Sequence, residues 1–343
     1  MDSTNSEIWQ DRQIRFDVPF AQIMCRPGEV HVDSINSVED TKGNNGEKGV
    51  LIVTNLRLLW IAQQNQKTNL SIGYHCIISI NIRLAHSRLR GNTEALYVMT
   101  KFNGTRFEFI FTSLVRRSPR LFSTVQAVFR SYETTKLYRD LKLRGAIIRD
   151  KQLIILPDEH VYSQVTGVWN LSSEQGNLGI FVISNVRLVW FATMAENFNV
   201  SIPYIQILEV RIRDSKFGKA LVLTTTNSSG GYVLGFRIDP PERLQEVFQE
   251  ICSLHQVFSE NPIFGVRHQL EEKALPLDQL IVKRQVDDVE IVSVSDGEDA
   301  FGAYYADAGK VVDREPVYDS YLGLAVEKPL EGVTTEQLWH ITT

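Results

Sequence analysis

Two groups of basic residues are the side chains whose type and spacing predict a binding site. Both groups fall near the ends of strand-like stretches. Arg and Lys there can pair with phosphate oxygens through charge-assisted hydrogen bonds. The groups are Lys42, Lys48, Arg83, Arg88, Arg90, Lys101 and Arg106, and then Arg211, Arg213, Lys216 and Lys219. We expect them to bind an anionic lipid headgroup such as a phosphorylated inositol ring. The alternative is a solvated basic rim, or one that faces an acidic partner.

Catalytic chemistry is not predicted by any motif in the chain. The patterns GxGxxG, GxxxxGK[ST], HExxH and GxSxG do not occur, and the seven histidines are scattered rather than spaced as metal ligands. Neighbouring carboxylates such as Glu39 and Asp40 lie in predicted loops, where solvated charge is the usual explanation. We therefore expect no catalytic residue, no metal site and no cofactor, and a protein that is not an enzyme.

The elements that position the basic residues come from a stretch that occurs twice. Gly49 to Trp60 reads GVLIVTNLRLLW, and 130 residues later Gly179 to Trp190 reads GIFVISNVRLVW. The agreement continues without a gap into NLSIGY and NVSIPY, which indicates a duplicated unit. Short apolar runs that are broken by Thr-Asn or Ser-Asn are typical of antiparallel strands joined by tight turns. We interpret Trp60 and Trp190 as core anchors rather than site residues.

Each repeat predicts six or seven strands followed by one amphipathic helix. The first helix opens at Pro119 and is predicted to continue to about Arg144, whereas the second opens at Pro240-Pro241. This order resembles a pleckstrin-homology-like (PH-like) unit, in which the helix plugs one end of a small barrel. We therefore predict a mainly β protein with capping helices. It would contain two tandem PH-like barrels, each of about seven antiparallel strands plus a C-terminal helix, and an extended acidic C-terminal tail.

The expected boundaries follow from the repeat and from the charge. They are an N-terminal segment at 1–25, a first PH-like domain at 26–144, a linker at 145–152, a second PH-like domain at 153–260 and the tail at 261–343. Residues 1–150 hold 21 Lys and Arg against 14 Asp and Glu, whereas residues 267–343 hold 7 against 16. The first unit is thus the basic one and the tail is acidic.

Cysteine usage and the chain start predict the compartment. Cys25, Cys76 and Cys252 are far apart and form no CxxC arrangement, which favours a reducing environment. The start, MDSTNSEIWQDRQ, is too polar for a signal peptide, and no apolar run approaches the roughly 18 residues of a membrane span. We therefore expect a cytoplasmic protein that meets membranes, if at all, from the cytosol.

Several unusual strings, spread in order over nearly the whole chain, are similar to a known family. They are VEDTKGNNG, NTEALY, TRFEFIFT, GVWNLSSEQGNLG, RDSKFG, SGGYVLGF, NPIFGV and DREPVY. With them the chain resembles the family of the fifth subunit of the BBSome, the Bardet–Biedl syndrome complex. The resemblance implies two tandem PH-like domains in a coat-like complex that carries membrane proteins to and from cilia. It also implies a place in the cytoplasm, cilium and ciliary basal body, peripheral at the ciliary membrane.

The resemblance also implies partners. These are other BBSome subunits of propeller and helical-repeat type, and phosphoinositides, notably phosphatidylinositol 3-phosphate. Ciliary membrane cargo and an Arf-like GTPase would be reached through the complex, and no nucleic acid is expected. Two functions stay open. The chain is a membrane-contacting adaptor whose basic first unit binds anionic lipid, or a purely structural subunit whose barrels and tail bind neighbouring subunits. Both can hold for different surfaces, and we predict a mixture of the two.

Overall fold

Two curled antiparallel sheets of eight strands, one in each repeat, form the protein, and an amphipathic helix follows each sheet. The computed structural model describes residues 11–116, 118–172, 176–267, 316–319 and 324–327. The mainly β prediction with two tandem units is confirmed. Each sheet has one strand more than the seven expected, because a short strand that precedes the unit joins it.

The first unit contains eight strands in the spatial order β1-β5-β4-β3-β2-β8-β7-β6. They are β1 (Ile14–Phe16), β2 (His31–Asp40), β3 (Lys48–Thr54), β4 (Arg57–Ala62), β5 (Asn69–Gly73), β6 (Ile77–Ser87), β7 (Gly91–Phe102) and β8 (Thr105–Ser113). A single helical turn, α1 (Phe20–Ile23), follows β1, and α2 (Arg120–Thr134) follows β8. The helix α2 buries Leu121, Val125, Val128 and Tyr132 against the open end of the sheet, as its spacing predicted.

The second unit repeats this arrangement in the order β16-β17-β18-β12-β13-β14-β15-β9. Its strands are β9 (Lys142–Leu143), β12 (Val161–Asn170), β13 (Asn177–Ser184), β14 (Arg187–Ala192), β15 (Ala195–Pro203), β16 (Ile207–Ser215), β17 (Gly218–Thr225) and β18 (Val233–Ile238). A separate hairpin of β10 (Ile148–Arg149) and β11 (Gln152–Leu153) lies between β9 and β12. The unit ends with α3 (Leu244–Glu260).

The predicted acidic tail lies almost entirely outside the described residues. Within it, β19 (Pro316–Asp319) pairs with β20 (Leu324–Glu327) as an antiparallel hairpin. Across the described ranges, no helix has both the length and the apolar character that crossing a bilayer requires.

The two repeated tryptophans are core residues, as their interpretation as anchors predicted. Trp60 and Trp190 are 0% and 1% exposed. Each indole Nε1 donates a hydrogen bond of 3.0 Å to a carbonyl of the first long strand of its unit, Val38 O and Val168 O. A buried indole that satisfies its N–H in this way contributes apolar area without an orphaned donor.

A buried ion pair occupies the same place in each unit. Arg57 and Arg187 are fully buried, and each forms two parallel hydrogen bonds to one carboxylate. In the first unit Nε and Nη2 of Arg57 lie 2.8 and 3.1 Å from the two oxygens of Glu29. In the second unit the corresponding distances from Arg187 to Glu159 are 2.8 and 2.9 Å. Each pair joins the second strand of the core hairpin to the segment that enters the unit.

The helix α2 ends ten residues before the predicted end near Arg144, so that prediction was wrong. Two consecutive threonines, Thr134 and Thr135, both bond back to Ser131 O, which competes with continued helix. Arg139 then folds over the helix end, where its guanidinium lies 3.7 Å from the centre of the Tyr132 ring and donates to Tyr132 O. A cation at this position stabilises the exposed carbonyls of a helix C-terminus.

Because α2 ends at Thr134, residues that follow it can form the first strand of the second sheet. Strand β9 pairs with β15, so residues 142–143, which the sequence placed in the first domain, belong to the second sheet. Strand β1 pairs with β5 in the same way, so residues 14–16 of the predicted N-terminal segment belong to the first sheet. The predicted linker at 145–152 contains the strand β10 and the first residue of β11.

Contacts between the two units involve polar side chains from both. Arg12 forms an ion pair of 3.0 Å with Asp140 and also donates to Ser228 O in the second unit. From the other direction, Gln206 Nε2 donates to Arg139 O at 2.6 Å. The segment 261–267 then returns to the first unit, where Phe264 is 2% exposed and packs in the first core. The two units therefore share buried contacts.

Loss of one partner of a buried ion pair should destabilise the protein strongly. We expect Arg187→Met to lower the free energy of unfolding by about 3–5 kcal/mol, because Glu159 is left as a buried and unpaired charge. Urea unfolding followed by circular dichroism measures the effect. The control is Arg213→Met, an exposed position where a change within about 0.5 kcal/mol is expected. Equal midpoints for the two variants would contradict the structural role of the pair.

The junction should weaken in mild acid. Partial burial of the ring, with Arg12 close by, lowers the pKa of His75, whose backbone N–H donates to Asp11 O. The unfolded chain therefore binds a proton at this residue more readily than the folded protein as pH falls through about 6.5, and the effect is small because the residue is exposed to solvent. Stability is present above that pH and is lost below it, down to the folded pKa. His75→Gln should flatten this dependence in unfolding curves between about pH 7 and 5, and an unchanged pH dependence in this variant would contradict the role of His75.

Candidate anion-binding surface

Two buried carboxylates organise the end of the first unit where its predicted basic loops meet. Glu39 and Asp40, at the end of β2, are both 0% exposed, so their interpretation as solvated loop charges was wrong. Glu39 Oε1 accepts from the Arg88 backbone N–H at 3.0 Å, and its other oxygen accepts from the Ser87 hydroxyl. Because Glu39 belongs to β2, while its donors are the last residue of β6 and the residue after it, this carboxylate connects two segments that are distant in sequence.

The second carboxylate shapes the loop from Thr41 to Glu47. Asp40 accepts from the Gly43 backbone N–H at 3.2 Å and from Asn44 Nδ2 at 2.9 Å. Gly46 closes this loop with φ of +69°, a conformation in which a residue with a Cβ is strained. A Cβ at Gly46 would lie 2.9 Å from Glu39 Oε1 and 3.1 Å from Arg88 Cδ. The loop can therefore approach the Arg88 side chain only with glycine at this position.

Lys48 and Arg88 are the exposed cations of this organised end. Lys48 begins β3 directly opposite Glu39 in the strand register, and its side chain is exposed. Arg88 is also exposed, and its backbone is fixed by Glu39. Two cations whose backbone is held at one end of the sheet suit an anion with several oxygens, because the strands and loops that carry them need no rearrangement to bind it.

Two further predicted residues of the first group are used within the protein. Lys42 Nζ lies 2.9 Å from a carboxylate oxygen of Glu108. Arg90 donates to the Ser113 carbonyl at 2.6 Å and to the Val115 carbonyl at 3.5 Å, which ties the loop after β6 to the end of β8. Their charges lie near the surface, but both side chains have structural contacts.

We call Glu39, with its donors Ser87 and Arg88, the Glu39 frame. The remaining members of the first group lie away from it. Arg83 lies within β6, with its guanidinium 5.4 Å from the centre of the Tyr97 ring. Burial raises the pKa of Tyr97, with a further increase from Glu108 and an opposing effect of Arg83. Lys101 and Arg106 are exposed neighbours at the far end of β7, about 35 Å from its start at a rise of about 3.3 Å per residue. The first group therefore does not converge on one site.

The second group lies on the β16–β17 hairpin, which corresponds to β6–β7. Arg211 and Arg213 share one strand face, as predicted, and Arg211 forms an ion pair with Glu209. Lys216 lies over the Phe217 ring at 4.9 Å, and Lys219 is exposed. Among the described residues of this hairpin's unit, the position of Glu39 is taken by Trp169, which has the same place in the strand register and supplies no carboxylate.

Reasoning from the sequence did not identify Glu39, Ser87 and Gly46 as the residues that bring the two segments together. The available signal was a Glu-Asp pair directly before a loop rich in Gly and Asn. Such a pair often bonds to loop N–H groups rather than to water. In the described part of the chain, no group of three or more His, Cys, Asp or Glu side chains is placed to hold a metal ion.

Comparisons with known proteins bear on both units. Residues 29–134 match the family model of the Bardet-Biedl syndrome 5 protein N-terminal PH-like domain, and residues 142–268 match that of the second PH-like domain. The chain is 59% identical over 334 residues to BBSome complex member BBS5 of Mus musculus, covering 97% of this chain and 98% of that protein. It is 58% identical over 341 residues to the protein of the same name from Danio rerio, covering 99% of each.

Among solved structures, the Vps36 N-terminal PH domain matches with a TM-score of 0.27 and 19% identity, covering 32% of this chain and 86% of that one. The PH-like prediction for both units is confirmed by the two family models.

Substitution of two glycines by alanine should separate two costs to stability, backbone strain at positive φ and steric contact with neighbouring side chains. We expect Gly104→Ala to cost about 1–2 kcal/mol of stability, because it places a Cβ at positive φ in open space. Gly46→Ala should cost about 1 kcal/mol or more beyond that, since its Cβ also meets Glu39 and Arg88. Chemical unfolding of both variants tests this. The predicted approach of the two loops is refuted if Gly46→Ala is no more destabilising than Gly104→Ala.

Proposed function

Because this chain belongs to the Bardet-Biedl syndrome 5 protein family, we propose that it is a non-enzymatic subunit of the BBSome. This complex would act as a coat-like adaptor for membrane proteins that travel to and from cilia. The observation that supports the assignment is identity of 59% over 97% of the chain with a BBSome complex member. The protein would then be found in the cytoplasm, at the ciliary basal body and peripherally at the ciliary membrane. Cargo and an Arf-like GTPase would be reached through the other subunits.

The proposal includes direct contact with phosphoinositide headgroups at the Glu39 frame of the first unit. Lys48 and Arg88 would pair with the phosphate oxygens, and Glu39 would hold the two loops in place. Lys42 and Arg90 would add long-range attraction while keeping their structural contacts. The headgroup has two candidate sites, the Glu39 frame and the β16–β17 hairpin. The hydrogen-bonded frame, rather than the number of cations, supports the first of them.

A purely structural role is the second candidate. Ile78 and Leu208 occupy the same position of the two repeats, next to a β-bulge, and are 51% and 50% exposed. An apolar residue kept exposed in both units suits a protein contact. The three carboxylates Glu39, Asp40 and Glu47 near the basic loops also reduce the net positive charge there. On this alternative, the barrels bind neighbouring subunits and no lipid.

Charge reversal at the Glu39 frame tests the lipid proposal. We expect Lys48→Glu with Arg88→Glu to weaken binding to vesicles containing phosphatidylinositol 3-phosphate by at least about tenfold, because two charge-assisted contacts are replaced by repulsion. Flotation of the full chain measures the loss. Added salt should weaken the wild-type binding as well, since exposed charges are screened within about 8 Å at physiological ionic strength.

The matched control is Lys101→Glu with Arg106→Glu, which makes the same change of charge at the far end of β7. Full binding by this control and weak binding by the frame variant would support the site. An equal loss in both would mean that binding depends on overall charge, and no loss in either would mean that the lipid contact lies elsewhere. The structural role is favoured if the wild-type chain itself does not float with the vesicles. Circular dichroism checks that both variants fold.

A further inference from the structure

An apolar tip surrounded by cations lies on the second unit, where β14 turns into β15. We call it the Met194 corner, and it consists of Met194, Leu143, Leu178, Arg144, Arg149 and Lys151. Met194 is 95% exposed, and Leu143 and Leu178 are 44% and 41% exposed. The three cations are exposed as well, and they outnumber the two carboxylates at the corner, Asp150 and Glu196. The corner is separate from both groups of basic residues described above.

The geometry of the hairpin explains why Met194 projects. Ala192 at the end of β14 faces Ala195 at the start of β15, so Thr193 and Met194 form a two-residue turn. The Thr193 N–H donates to Leu178 O at 3.0 Å, which fixes the turn against the start of β13. A long and flexible apolar side chain is therefore held at the tip of a rigid hairpin.

Hydrogen bonds bring two of the cations, Arg144 and Lys151, to the same corner from a different part of the chain. The Arg144 N–H donates to Asn199 O at 2.8 Å, and the guanidinium lies 5.6 Å from the centre of the Phe198 ring. The Lys151 N–H, at the tip of the β10–β11 hairpin, donates to a carboxylate oxygen of Glu196 at 2.6 Å. Phe198 in turn stands edge-on to Trp190 at 5.5 Å, which connects the corner to the core.

The first unit lacks this feature at the equivalent position. Gln64 occupies the place of Met194 at the offset of 130 residues, and the turn from Gln63 to Lys67 is polar and exposed throughout. Since the rest of the hairpin is closely repeated, an exposed methionine is not a requirement of the fold. An apolar side chain on the turn itself is a property of the second unit, although Phe20, which is 67% exposed, lies beside the polar turn of the first unit.

We propose that the Met194 corner inserts shallowly into an anionic lipid bilayer. Met194 would enter the boundary between headgroups and acyl chains, and Arg144, Arg149 and Lys151 would lie among the anionic headgroups. An apolar tip with a basic surround is the chemistry of interfacial membrane contact, in which apolar burial and attraction to anionic lipid act together. A single projecting apolar side chain suits a deformable lipid surface better than the larger apolar patch of a protein interface. The contact needs no particular headgroup, so it goes beyond the phosphoinositide site proposed above.

A fluorescent probe at the tip tests the insertion directly. In the full chain with Cys25→Ser and Cys252→Ser, Met194→Cys carries the dye NBD, and Gln64→Cys provides the matched position in the first unit. Vesicles of phosphatidylcholine with and without phosphatidylserine are then added. The dye at 194 is expected to brighten and shift to the blue only with phosphatidylserine, while the dye at 64 stays unchanged. No response at 194 would overturn the proposal, even if the chain still floats with the vesicles.

Two unlabelled variants complete the test. Met194→Gln copies the residue of the first unit, and it is expected to weaken binding to phosphatidylserine vesicles about tenfold through loss of apolar burial. Reversal of Arg144, Arg149 and Lys151 to Glu should abolish that binding, with unfolding midpoints as the check on folding. Unchanged binding in both variants would contradict insertion. So would a dye at 194 that brightens when the chain joins the assembled complex but not on vesicles, since the corner would then be a protein contact.

The Lys48→Glu, Arg88→Glu variant distinguishes this proposal from the headgroup site. With the dye at 194, that variant is expected to keep the response to phosphatidylserine, because the corner does not use the Glu39 frame. A response that disappears in this variant would mean that insertion has no independent basis.

Discussion

The buried pairing of one arginine with one glutamate is the constraint on which each half of the protein depends. Removing both charges from water costs several kcal/mol per ion, so the pair is tolerable only if its remaining donors are also satisfied. Arg57 meets this condition with both oxygens of Glu29, the Ser71 hydroxyl and carbonyls of the segment that enters the first unit. Strand β4, strand β5 and the entering segment must therefore sit in one fixed arrangement around a single guanidinium.

The same requirement explains which positions the two repeats share. Thr54 and Ser184 each accept from the backbone N–H groups of the following turn and donate to the carbonyl of the buried arginine. Asn69 and Asn199 each bond to both backbone groups of one residue in the preceding segment, Val18 and Gly145 respectively. The shared polar residues thus belong to the interior, and their repetition reflects folding rather than a common binding function.

Much of the fold is predictable from the sequence because its signals are local. Alternating apolar runs give the strands, and the turn Asn103-Gly104 adopts the positive φ values that an Asn-Gly hairpin needs. The end of α2 was not predictable, because it depends on Arg139 folding back onto Tyr132. Strand β1 was missed for the same reason, since three residues with no clear period become a strand only by pairing with β5. The basic residues were hard to place for a related reason. A position near a loop in the sequence does not reveal which loops meet at the same end of the sheet.

Differences between the repeats are more informative about function than their agreement. The core hairpin keeps Arg, Asn and Trp in both units, whereas Trp169 replaces Glu39 and Met194 replaces Gln64 at positions that the fold does not fix. The first exchange removes the carboxylate that connects two loops in the first unit. At its register partner it also brings Arg237 within 5.5 Å of an aromatic ring. The second exchange puts an apolar side chain at a polar turn. Because the surrounding frame is common to both halves, each exchange changes one surface without changing the sheet that holds it. A duplicated module can in this way acquire two different binding surfaces while its interior remains the same.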